Sequence, residues 1–346
     1  MSSHIPNPTA STLKANESVL RIPAFRKLWR AMAFSSFGDW LGLLATTALA
    51  QQLAGGNYAT ANFAIAGVFI ARLLPSVILG PIAGVIADRF DRKKVMVIGD
   101  IIRAALFVSI PIVNNYLWLY IATVLVECVT LFWSPSKEAT VPNLVPKSKL
   151  ENVNQMSLLA AYGTAPIAAA LFSLLSIFFT AISAAFDLKG NSAVNLALYI
   201  NALSFLFSAI TIATLTIPKD HLEKNKKQPS FSASLLDGAK FVSSSKVVRG
   251  LVVGMIGAFI AAGAVIGLAR TFVGDLQAGD AAYGVLFGAV FSGIAAGIAL
   301  GPKVFAQFSR RRLFGASLAT AGILLIVLSL LQNLVLALFV VVILGA

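Results

Sequence analysis

Long apolar runs broken by short polar turns, most of them basic, set the pattern of this chain. Nine runs lie near residues 31–53, 59–87, 95–113, 116–136, 152–182, 193–217, 249–271, 282–303 and 311–331. A hydrocarbon core of about 30 Å needs roughly 20 apolar residues in a helix rising about 1.5 Å each, so all nine are long enough to cross. A tenth run starts near Leu334 and reaches Ala346 after about 13 residues, short of a span. The pattern predicts an all-α integral membrane protein in four parts. These are an N-terminal segment at 1–30, a six-helix half at 31–217, a basic linker at 218–248 and a second half at 249–346. The second half would also need six helices, so the chain reads as ending inside a hydrophobic segment. The linker predicts a short amphipathic helix near Leu235–Val242. Residues 1–20 are polar and lack the apolar core of a signal peptide.

The basic residues give this pattern a direction. Lys14, Arg21, Arg26, Lys27 and Arg30 precede the first run, and Arg89, Arg92, Lys93 and Lys94 follow the second. Lys137, Lys147 and Lys149 follow the fourth; a larger group from Lys219 to Arg249 follows the sixth; Lys303, Arg310, Arg311 and Arg312 follow the eighth. The opposite side holds only Lys189 and Arg270. Basic residues stay on the cytoplasmic side, so the N-terminus and these loops are expected there, in a multi-pass protein of the plasma membrane.

Composition removes the competing classes. Of 346 residues, 58% are hydrophobic and 12% charged, against about 25% charged in an ordinary soluble domain. The net charge of +13 would suit nucleic acid, but its placement in one set of loops makes it topological, facing anionic headgroups. The partners expected are therefore the bilayer and a small-molecule substrate, with protons as a coupling ion, and no nucleic acid. Only His4 and His221 are histidines and only Cys128 is a cysteine. Neither a histidine metal site nor a Ser-His relay has material, and no intrachain disulfide can form. No catalytic residue, metal or cofactor is expected.

The second run ends in GPIAGVIADRFDRKKV, residues 80–95. Gly84, Asp88, Arg89, Arg92 and Lys93 fill every position of G-x-x-x-D-R-x-x-R-[KR], with Lys94 extending the basic run. The string resembles the loop signature of the major facilitator superfamily between spans two and three. Four further segments, FRKLWRAMAFSSFGDWLGLLA, IGDIIRAALF, SPSKEATVPNLVPKSKLENVNQMS and VVRGLVVGMIGAFIAAGAVIGLARTFVGDL, are similar to its drug-efflux branch that includes macrolide exporters. They are more similar still to the transporter-like half of bacterial proteins fused to a C-terminal thymidylate kinase. The resemblance implies the major facilitator fold, with about nine and a half of twelve helices present. It also implies a gating role for the motif, in which the acid at Asp88 meets the N-terminus of helix eleven. No G-x-x-x-x-G-K-[ST] phosphate loop occurs in the chain, so a fused kinase would lie outside it.

Charged residues within the runs are expensive and mark function or pairing. Asp39, Arg72, Asp100, Arg103 and Glu127 stand out. At about 1.5 Å per residue from the basic end, Asp39 lies about 12 Å deep, Asp100 about 8 Å, Arg103 about 12 Å and Glu127 about 15 Å. Arg72 lies about 24 Å from Asp88 on the same scale. Asp100 and Arg103, three apart, share a helix face and are expected to pair. Arg103 and Glu127 match in depth on helices joined by the short turn Asn114-Asn115, which predicts a second pair. Arg72 has no depth-matched acid and is left for water, a carbonyl or substrate. Asp39 and Glu127 are candidates for proton coupling, because a low-dielectric site favours the neutral carboxyl group. Glycines at 284, 288, 293, 297 and 301, at 250/254 and 263/267, and at 80/84 are spaced for close helix contact. Pro75, Pro81 and Pro166 are expected to kink their helices.

The reading that follows is a monomeric secondary transporter, exporting small amphipathic compounds against protons. The alternative is a membrane module that anchors or regulates a fused thymidylate kinase.

Overall fold

Two adjacent asparagines make a tight reversal between two helices. Asn114 ends one helix in the left-handed conformation at φ 45°, and Asn115 caps the next by accepting from the backbone N–H of Leu117 at 2.8 Å. Asparagine tolerates that backbone region and its short side chain reaches the orphan amides of a first turn. The computed structural model describes residues 18–55, 58–87, 90–186, 192–216 and 280–346, together with 240, 243–254, 256, 257, 272 and 276. The described residues are helical, with no strand.

Seven helices form the N-terminal unit: α1 (Pro23–Leu53), α2 (Tyr58–Ala87), α3 (Arg92–Val113), α4 (Tyr116–Thr140), α5 (Leu150–Tyr162), α6 (Ala165–Phe186) and α7 (Ser192–Ala213). The second unit contains α8 (Asp280–Val304), α9 (Arg310–Leu330) and α10 (Leu334–Gly345). The chain divides into compact units at Met1–Lys224 and Asn225–Ala346. The expected run at 152–182 is two helices, α5 and α6, broken at the turn Gly163-Thr164. Pro166 falls in the first turn of α6, where its missing N–H costs nothing. Pro75 and Pro81 lie within α2, which runs on through both. The amphipathic helix expected near 235–242 lies outside the described residues except Lys240.

Seven described helices are long and apolar enough to cross a membrane, from Thr60–Gly80 to Arg312–Leu330, with Leu334–Gly345 a shorter apolar helix. They coincide with seven of the nine expected runs. Of the other two, the first is the long helix α1, which carries more polar positions, and the 249–271 run falls largely outside the described residues.

In the N-terminal unit α1, α7, α3, α4 and α2 pack in a closed ring, with α5 and α6 against α1. Aromatic side chains tie neighbours by donating to main-chain carbonyls. Trp40 Nε1 donates to Ala161 at 2.7 Å, Tyr116 Oη to Ala50 at 2.9 Å and Trp29 Nε1 to Met156 at 2.8 Å. The outer surface is apolar: Phe63 is 78% exposed, Ile112 68% and Leu174 64%. Such a surface is stable against lipid and not against water.

The interior has two apolar cores. One gathers Leu41, Ala104, Phe107, Val126 and Phe205. The other, toward the N-terminal end, gathers Phe25, Met32, Met96, Trp133, Ile212 and Leu215. In the second unit α10 packs on α8 and α9 around Leu286 and Val341.

Candidate functional site

Polar side chains fill the layer between the two cores of the N-terminal unit. On α1, Asp39 lies between Met32 of one core and Leu41 of the other. On α3, Asp100 and Arg103 lie between Met96 and Ala104, and on α4 Glu127 lies between Val126 and Trp133. Ser208 of α7 lies between Phe205 and Ile212. Sequence positions on four helices thus converge at one level, and Arg72 of α2 joins them.

The expected pair on α3 is present. Arg103 Nη2 donates to Asp100 Oδ1 and both side chains are fully buried. The Arg103 guanidinium also lies 4.3 Å from the centre of the Phe205 ring and 5.0 Å from that of Trp133. A desolvated guanidinium between aromatic faces gains cation–π attraction that an ammonium on a flexible stem would not match. Ser208 faces Asp100 closely enough to act on it, although its hydroxyl lacks the geometry of a hydrogen bond.

The expected pair between Arg103 and Glu127 is not formed. Glu127 pairs instead with Arg72, Nε to Oε1 at 3.2 Å. Arg72, expected to lack an acid, therefore has one. Two things separate the outcome from the depth estimate. The depth was counted from the basic end of the fourth apolar run, but α4 continues to Thr140 and a further turn to Asn143, which places Glu127 deeper. The α2–α4 contact is also extensive, and it brings the Arg72 stem within reach while Arg103 turns toward α7. The pair is half-buried, at 19% and 15% side-chain exposure.

Asp39 is the member left over. It is half-buried and forms no salt bridge among the described residues, while the charges of Arg103 and, after it, Arg72 act on it. Its own charge acts in turn on Asp100 and Glu127. Three carboxyl groups therefore share two guanidinium groups.

The sequence reading missed the neutral polar members. Asn201 of α7 is fully buried, and neither its Oδ1 nor its Nδ2 has a hydrogen-bond partner. It presses on the glycines beside Asp39. A Cβ at Gly38 would collide with Ser204 Oγ and Asn201 Oδ1, and one at Gly42 with Asn201 Nδ2 and, at 3.0 Å, the Phe107 ring. Only glycine permits this α1–α7 approach, and an asparagine in mid-span was the available signal. A cavity of about 240 Å³ opens below Glu127, lined from α2 by Ser76 and Gly80 and from α4 by Thr130, Leu131 and Ser134 among others.

Of the loop motif, Gly84 lies in α2, and Asp88 and Arg89 are outside the described residues. Arg92 Nη1 donates to the carbonyl of Ala139 at 3.0 Å, satisfying an orphan acceptor at the end of α4. Lys93 is half-buried in the first turn of α3. Among the glycines, Gly293 and Gly297 of α8 lie against the backbone at Val342 and Ala346, whereas Gly288, Gly301, Gly250 and Gly80 face open space. No metal-binding cluster occurs among the described residues.

The family model for transmembrane secretion effectors, a group of the major facilitator superfamily, matches residues 15–346. The chain belongs to this family. It is a multi-pass membrane protein with the superfamily's helical fold. Among similar proteins, the chain is 26% identical over 213 residues to the uncharacterised MFS-type transporter YfiS of Bacillus subtilis, covering 62% of this chain and 46% of YfiS. It is 28% identical over 181 residues to macrolide efflux protein A of Streptococcus pyogenes, covering 50% of this chain and 41% of that protein. The matches span about half the length of these curated relatives or less. A bacterial homologue of the human lysosomal transporter Spinster, crystallised inward-facing and unoccupied, superposes with a TM-score of 0.60. That likeness has 15% identity and covers 93% of this chain and 72% of the other, and it concerns the fold alone.

Proposed function

We propose that this chain works as a secondary transporter that exports small amphipathic compounds in exchange for protons. The observation carrying the reading is the polar layer itself, in which Asp39 is the carboxyl group without a salt bridge. With every member charged the layer is one positive charge short. A proton taken up at Asp39 makes it neutral, and losing that proton restores the deficit. Buried charge imbalance of this kind is costly, so the layer has reason to hold a proton in one state and release it in another. The similarity to a macrolide efflux protein supports export and an apolar cargo.

In this reading the N-terminus faces the cytoplasm, the plasma membrane holds the protein as a monomer, and Gly84, Asp88, Arg89, Arg92 and Lys93 form the cytoplasmic gate. The alternative, a membrane module of a thymidylate kinase fusion, rests on the four segments quoted above. A coding sequence continuing past Ala346 into a phosphate loop would favour it.

The test uses the whole transporter in proteoliposomes with ethidium as cargo. Asp39→Asn is expected to abolish pH-gradient-driven accumulation while sparing exchange of ethidium without a gradient. Gradient-driven accumulation that survives Asp39→Asn would remove proton coupling at this residue.

A further inference from the structure

The cavity below Glu127 holds more polar groups than its neighbours use. Arg72 approaches Glu127 at Oε1, and Arg72 is not part of the cavity wall. That ion pair is made through Oε1, and Oε2 has no ion-pair partner among the described residues. The hydroxyls of Ser76 and Ser134 have no hydrogen-bond partner among the described residues. Thr130 Oγ1 donates to the Val126 carbonyl at 2.9 Å, which leaves its lone pairs free to accept. A carboxylate and three hydroxyls therefore converge as acceptors at membrane depth, where unmet polar groups are costly. Gly80 supplies the space and Leu131 an apolar wall. At about 240 Å³ the cavity is smaller than a site for a whole drug-sized molecule, roughly 300–1,000 Å³. It fits one end of such a molecule.

We propose that this α2–α4 cavity is a subsite for the protonated amine end of an amphipathic substrate, held by Glu127 with hydroxyl support from Ser76, Thr130 and Ser134. An ammonium group offers only donors, which matches a wall of acceptors. It also supplies the positive charge that the five charged residues of the layer lack. An anion would face the carboxylate, and a neutral chain would leave the hydroxyls unmet. Arg72, which does not line the cavity, keeps the carboxylate in place through Oε1 when the subsite is empty. The assignment rests on the exporter reading for its source of cargo, but binding needs no transport.

The experiment places a single reporter cysteine in the cavity of the full chain, Ser134→Cys in a Cys128→Ser background, and follows its alkylation by N-ethylmaleimide. Octylammonium, octanol and octyl sulfate are compared as probes. Octylammonium is expected to slow alkylation about tenfold more than octanol, the value of one charge-assisted hydrogen bond, and octyl sulfate is expected to give no protection. Glu127→Gln should bring octylammonium down to the octanol level. If that single variant fails to fold, Arg72→Gln with Glu127→Gln keeps a neutral pair and should show the same loss. Equal protection by octanol, preferential protection by octyl sulfate, or no protection by any probe overturns the proposal. Selective protection in a protein that moves no ethidium would sink the exporter reading and leave the subsite standing.

Discussion

Arg72 of α2 meets Glu127 of α4 at 3.2 Å, Nε to Oε1, and this contact joins two helices separated in sequence by the whole of α3. Both side chains are mostly out of solvent. Removing either one leaves a poorly solvated charge, at a cost on the order of 3 kcal/mol, and removing both costs less. A double-mutant cycle on unfolding in detergent, with Arg72→Ala and Glu127→Ala, is expected to show a coupling of about 1–3 kcal/mol. The same cycle with Arg103→Ala and Glu127→Ala should be closer to additive. A larger coupling in the second cycle would reverse the assignment of partners.

Arg103 should not tolerate lysine. Its planar group lies between Phe205 and Trp133 while bonded to Asp100. Arg103→Lys keeps the charge but loses the stacked geometry, for an expected loss of roughly 1–2 kcal/mol. Replacing the pair with Asp100→Leu and Arg103→Met is expected to be milder than Arg103→Ala alone, because no unpaired charge is left. Thermal midpoints in detergent compare the three directly; a lysine variant as stable as the parent would show that the rings contribute nothing.

Glycines of the same type should separate by position. At Gly42 an added Cβ meets Asn201 and Phe107, both held in the interior, so Gly42→Ala is expected to cost about 1–3 kcal/mol. Gly288 and Gly301 face open space, so alanine there should be neutral or stabilising by up to about 1 kcal/mol. Monodisperse yield by fluorescence-detected size exclusion gives the ranking. Losses at Gly288 and Gly301 equal to that at Gly42 would contradict it.

The orientation follows from the basic loops. In a Cys128→Ser background, Gln332→Cys is expected to react with an impermeant maleimide on intact cells and Ser148→Cys only after permeabilisation. Both positions are exposed in turns outside the long helices. Labelling at 148 on intact cells would invert the topology.

Much of the architecture was legible from local pattern. A run of apolar residues carries its own length, so the spans at α2 to α4, α7, α8 and α9 could be placed without neighbours. The pair Asp100–Arg103 could be named because one helix turn brings the two together. The Asn114-Asn115 reversal was visible in the residue types that such a turn uses. The five charges of the polar layer were found, since charge in an apolar run is conspicuous.

The partner of Glu127 was decided elsewhere. Counting residues along a helix yields a depth at about 1.5 Å per step, but it does not say which way a side chain points relative to the next helix. That angle depends on the rotation of each helix about its axis and on which helices are neighbours in the ring. The same ignorance hid the contact of Asn201 with Gly38 and Gly42, and it overstated the glycine stripe of α8, where Gly293 and Gly297 touch a neighbour and Gly288 and Gly301 do not. The apolar length of a span is a property of a single segment and was readable from the sequence alone. Pairing, close approach and the cavity below Glu127 are properties of two segments at once, and only their packing determined them.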